Sequence, residues 1–206
     1  MIRRKFPKGM NKNSIETIID YENERCYKTS FKLNRRGKSK VLVLGRAPKK
    51  CSELYINKSV QRIVKYLNSK KETIGSILNV VMVNLFVPFE YDRETIKEVL
   101  EEKGESFITG NDDKFILDDN IIKNNEIIKE EIISSDYIIL AWGEPLKDIE
   151  LLYNSRVQDI LKIIRNCNVE KDLNKVVYTI GDLTKKGYPR HCMNWNTRDE
   201  LVNYFD

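Results

Sequence analysis

The chain has 206 residues, 41% of them hydrophobic and 33% charged, with a formal net charge of +5. That length suits one domain with a real core, and the charge permits an anionic partner without demanding one. No apolar run approaches the roughly 18 residues of a membrane span, and the basic start MIRRKFPKGMNKNS lacks the apolar segment of a signal peptide, so a cytoplasmic protein off the membrane is expected.

In chain order, residues 1–25 read as an N-terminal basic arm and 26–206 as a single α/β domain. Cys26–Leu33 alternates polar and apolar residues with period two, as a half-exposed strand does. A turn at Arg35-Arg36-Gly37-Lys38 leads into Val41–Leu44, so 26–45 reads as a hairpin. Its second arm, VLVL, is apolar on both faces, which fits a strand covered on both sides. Val60, Ile63, Val64 and Leu67 form a helical stripe over 57–69. Leu78–Phe86 is a second continuous apolar strand. Asp92 is placed to cap a helix with Ile96, Val99 and Leu100 inside, ended by Gly104. Residues 105–118 read as a loop and Asn120–Ser134 as a helix. Tyr137–Trp142 is a third buried strand, Ser155–Asn166 a further helix, and Val176–Ile180 a fourth strand ending at Gly181. Thr197 with Glu200 predicts a capping box for a short last helix.

Apolar strands alternating with helices predict a parallel sheet covered on both faces, with strands 41–45, 78–85, 137–142 and 176–181 parallel. Ligands of such sheets bind beyond the carboxyl ends of the strands. Those ends carry the candidate site. Gly45, Arg46 and Pro48 lie in GRAPKK, where Gly permits close backbone approach to a ligand and exposed N–H groups suit an anion. This is no Walker loop. Asn84 interrupts an apolar strand just before Phe86, and its amide offers both a donor and an acceptor for a base edge or a neighbouring loop. Trp142, before Gly143, either stacks on a planar ligand or packs under a helix. Lys185, Lys186, Arg190 and the only histidine, His191, stand in TKKGYPRH, where cations suit phosphate and an imidazole moves protons near neutrality. A solvated basic loop is the plain alternative. Cys26, Cys51, Cys167 and Cys192 are scattered and form no CxxC pair, so free thiols are expected, with no metal and no cofactor.

Val83-Asn84-Leu85-Phe86, Ala141-Trp142-Gly143 and Leu183 through His191 together resemble the bacterial and phage family called domain of unknown function 1643. The likeness spans roughly 26–195. Where that family shows an Asn-Pro-Ser loop followed by acidic residues, this chain has Gly45-Arg46-Ala47-Pro48-Lys49-Lys50. The layout is also similar to uracil-DNA glycosylases, with Pro48 in the first loop, Asn84 as the base-reading residue, Trp142-Gly143 third and His191 last. The water-activating Asp of those enzymes has no counterpart among Ala47 and Lys49. The resemblance implies a three-layer α/β/α sandwich around a four-stranded parallel sheet.

Two function classes follow. In the first, the strand-end pocket binds a nucleobase, nucleotide or nucleic acid and hydrolyses an N-glycosidic bond. His191 then stabilises the departing base or sugar charge, Asn84 holds the base, and Arg190 and Lys185 hold phosphate. In the second, the same pocket sequesters a nucleotide or docks a protein without chemistry, and the charge-reversed first loop favours this. A carboxylate in reach of the pocket separates them, with Glu144, Glu53 and Asp182 as the candidates. Either way an anionic partner is expected. Oligomeric state is open.

Overall fold

The structure, a computed structural model, describes residues 6–49, 56–89, 93–171, 173 and 175–205. Asp92, Lys50, Cys51 and Glu53 lie outside the described residues.

The sheet begins with β1 (Glu16–Asp20), β2 (Arg25–Lys32) and β3 (Ser39–Gly45). Helices α1 (Lys58–Ser69) and α2 (Lys71–Ile74) lead to β4 (Ile77–Asn84). Next come α3 (Arg93–Lys103), α4 (Glu105–Thr109), the small ribbon β5 (Ile116–Leu117) and β6 (Asn120–Ile121), and α5 (Asn124–Ser134). The chain ends with β7 (Tyr137–Leu140), α6 (Glu150–Lys171), β8 (Val177–Ile180) and β9 (Leu201–Asn203).

One seven-stranded mixed sheet runs in the order β1-β2-β4-β3-β7-β8-β9. The pairs β4–β3, β3–β7 and β7–β8 are parallel; β1–β2, β2–β4 and β8–β9 are antiparallel. The four strands predicted from their apolar runs therefore lie side by side, but the sheet is larger than the four-stranded one expected. Alternation sorts its side chains to two cores. Leu42, Leu44, Val81, Val83, Ile138 and Leu140 face α3–α6 through Ile96, Ile108, Ile128, Ile132, Ile160 and Ile164. Val41, Val43, Val80, Ile139 and Ala141 face α1 through Val60, Ile63, Val64 and Leu67. Helices thus cover both faces. At about 25 cal/mol per Å² of apolar surface, these two interfaces dominate the stability.

Four expectations are corrected. Residues 26–45 are not a hairpin: β2 pairs with β4 through Thr29↔Met82 to Lys32↔Asn79, leaving β3 central between β4 and β7. The turn at Arg35–Lys38 does not dictate pairing, because β3 has both its edges taken by β4 and β7. The region read as an arm contributes β1, tied down by fully buried Arg25. That guanidinium grips Asp20 at 2.8 Å and Asp112 at 2.7 Å, and stacks over Phe107. Residues 105–118 contain α4 and β5, and α5 begins only at Asn124. Finally, 201–203 are a strand. The N–H of Gly181 donates to the Glu200 carbonyl, and β9 continues that pairing, so satisfying the edge of β8 outweighs the local capping signal. No described helix is long and apolar enough to cross a membrane.

Candidate functional site

The parallel strands end along one sheet edge, and most of the predicted residues meet there. Gly45 and Asn84 are ladder partners on β3 and β4. A Cβ on Gly45 would collide with the Asn84 side-chain oxygen, so glycine leaves room for the amide. The loops after both strands stay zipped together: Leu85 N–H donates to the Gly45 carbonyl at 2.9 Å and Phe86 N–H to the Arg46 carbonyl at 3.0 Å. Asn84 is only 5% exposed. Among the described residues nothing hydrogen-bonds its side-chain amide, although its backbone carbonyl accepts from Asn124 Nδ2 at 3.0 Å. The amide lines a small pocket with Ala47, Pro48, Lys49, Thr29 and Met82, and with Asn57, Ser59 and Val60 at the start of α1. The amide opens onto this pocket, where its donor and acceptor stand ready for a ligand.

His191 is held against the third strand end. Gly143 has φ +74°, and a Cβ there would come within 2.8 Å of the His191 Cβ. Glycine therefore lets the 182–195 loop descend onto the strand end. Its carbonyl accepts from the Tyr153 hydroxyl at 2.6 Å. His191 Nδ1 accepts from the Met193 N–H at 3.3 Å, so in the neutral ring the proton sits on Nε2. Burial, then the charges of Arg46 and Lys49, push the imidazole down to about 4 from an ordinary 6.5. The adjacent Arg190 is not among these causes. The Arg46 Nη1 donates to the Glu144 carbonyl at 3.0 Å, joining the first loop to the third. Burial also pushes the neighbouring Cys192 thiol up to about 11, which makes it a packing residue rather than a nucleophile.

Other predicted residues fall elsewhere. Trp142 is wholly buried in the core under α6, so it is not a stacking platform at the surface. Phe86 is buried too, with its ring 6.0 Å from that of Tyr153. Arg190 stands 3.7 Å from Asp199, and its carbonyl accepts the Trp195 indole N–H at 3.2 Å. Lys185 is exposed on the outer loop, as are Lys186 and Asp182. Glu144 is half-buried, yet only its backbone carbonyl is seen to engage the site.

Sequence reasoning missed two contributors. Asn57 caps α1 by accepting from Val60 N–H at 3.0 Å, a role its place before the apolar stripe could have disclosed. Arg156 on α6 is 1% exposed, donating to the Leu85 carbonyl at 2.9 Å and to Asn125 Oδ1 at 2.6 Å. Among the described residues no carboxylate touches it, and burial pushes it down to about 10. Nothing in the local sequence marks an arginine on the buried stripe of a helix.

The family described as "Protein of unknown function (DUF1643)" matches residues 31–193, well over half of the chain. The chain belongs to that family. Its match takes in the 45–49 loop, Asn84, Gly143 and His191, so this DUF1643 domain holds the whole strand-end cluster. No curated protein matches the chain, and no solved structure does.

Proposed function

We propose that this DUF1643 protein binds a nucleobase or nucleotide at the carboxyl ends of its parallel strands, in a layout similar to that of uracil-DNA glycosylases. The observation that carries this reading is the buried, unpartnered Asn84 amide lining the pocket beside the 45–49 loop. A side-chain amide offers a donor and an acceptor side by side, which matches the edge of a base. Lys49 lines this pocket, and its charge, with that of Arg46 in the same loop, gives a positive potential that suits an anionic ligand.

Binding without bond cleavage is the better-supported form. None of the described residues lining the pocket is acidic, so no described carboxylate stands there to activate water. A ring that titrates near 4 also supplies little acid at neutral pH. Equilibrium binding and thermal shift with free bases, nucleosides, nucleotides and uracil-containing DNA test the reading. Stabilisation by one of these, abolished in Asn84→Ala and altered in base preference in Asn84→Asp, is expected. Indifference of every probe to Asn84 would overturn it, and release of free base on incubation would make the protein an N-glycosidic hydrolase instead.

A further inference from the structure

The part of the pocket formed by α1 has a chemistry of its own. α1 is twelve residues long, with no acidic side chain in its first turn. Asn57 satisfies the Val60 N–H, while the N–H groups of Lys58 and Ser59 meet no acceptor among the described residues. Free first-turn N–H groups and the positive end of the helix dipole favour an anion. Lys49 lies across the same pocket, fixed at its backbone, where its carbonyl accepts from Asn57 Nδ2 at 2.9 Å. Asn84, buried and unpartnered, faces this space from the sheet. A helix start alone would mean little, but here an unspent buried amide opens onto the same cavity.

We propose that the ligand is phosphorylated: its phosphate sits between the start of α1 and Lys49, while its base reaches Asn84. This rests on the base-binding reading and narrows it from bases and nucleosides to nucleoside phosphates. The phosphate belongs either to a free nucleotide or to a nucleic-acid backbone, which share this chemistry.

The test compares each common nucleoside with its 5′-monophosphate and with a short single-stranded oligonucleotide, by calorimetry on the full chain, with inorganic phosphate as competitor. The monophosphate should bind about tenfold tighter than its nucleoside, the worth of one charge-assisted hydrogen bond. Lys49→Gln should remove that advantage, lowering monophosphate affinity far more than nucleoside affinity. Lys49 is exposed and its backbone contact is kept in the variant, so folding is not at stake. Equal affinities for nucleoside and monophosphate, or an advantage that survives Lys49→Gln, would overturn the proposal. An oligonucleotide outcompeting the monophosphate assigns the phosphate to nucleic acid, and the reverse assigns it to a free nucleotide. Should no base-bearing probe bind, the base reading fails by itself. Saturable inorganic phosphate binding lost in Lys49→Gln then still supports the oxyanion subsite, and its absence sinks it.

Discussion

His191 is the sole imidazole, so its ring protons form a unique NMR signal. Its midpoint should lie near 4, well below the ordinary 6.5. Because the folded value is the lower one, the unfolded chain binds the extra proton between about pH 6.5 and 4. The stability held by the neutral ring is fully present above that window and is lost as pH falls through it, by at most about 3 kcal/mol. His191→Gln should flatten this slope in urea denaturation, and an unchanged slope would assign it to other groups. Gly143→Ala probes the same contact from the other side. It places a Cβ against His191 at a left-handed φ, so a loss of about 2 kcal/mol and a shifted His191 resonance are expected.

At the scale of elements, the site depends on how β4 ends. Arg156 of α6 holds the Leu85 carbonyl, Asn124 of α5 holds the Asn84 carbonyl, and Asn125 joins the two helices through Arg156. These polar links pin the base of the pocket to the helical layer. Arg156→Ala orphans the Leu85 carbonyl and leaves a cavity, and should cost about 3 kcal/mol by chemical denaturation. Arg156→Lys should rescue little, since a point charge does not reproduce two directed bonds. Ligand affinity should fall in both even at temperatures where the protein stays folded.

For the whole molecule, positive groups gather at the strand ends and on the exposed 182–191 loop. Binding of a nucleotide or oligonucleotide should weaken as salt rises, with a smaller slope of log K against log salt in Lys185→Ala. Arg190 beside Asp199 is partly compensated, so Arg190→Ala should change that slope less. Salt-independent binding would point to a neutral ligand.

Much of this arrangement was legible in the sequence. The runs VLVL, LNVVMVNLF, YIILAW and VVYTI identified the parallel strands, since a strand buried on both faces must be apolar throughout. Their ends then located Gly45, Asn84, Gly143 and His191. The sequence could not say that Trp142 and Phe86 point into the core, because a strand-end aromatic serves a pocket or a core equally well. Nor could it disclose Arg156, whose partners lie 31 and 71 residues away along the chain. Pairing was also beyond it: β2 lies beside β4, and 201–203 form a strand, because unsatisfied sheet edges are filled by whichever segment reaches them. Local periodicity determined the four parallel strands and the main helices between them; tertiary structure alone decided their neighbours, the added strands β1 and β9 and the unspent amide of Asn84, because burial and hydrogen-bond satisfaction are properties of the packed chain.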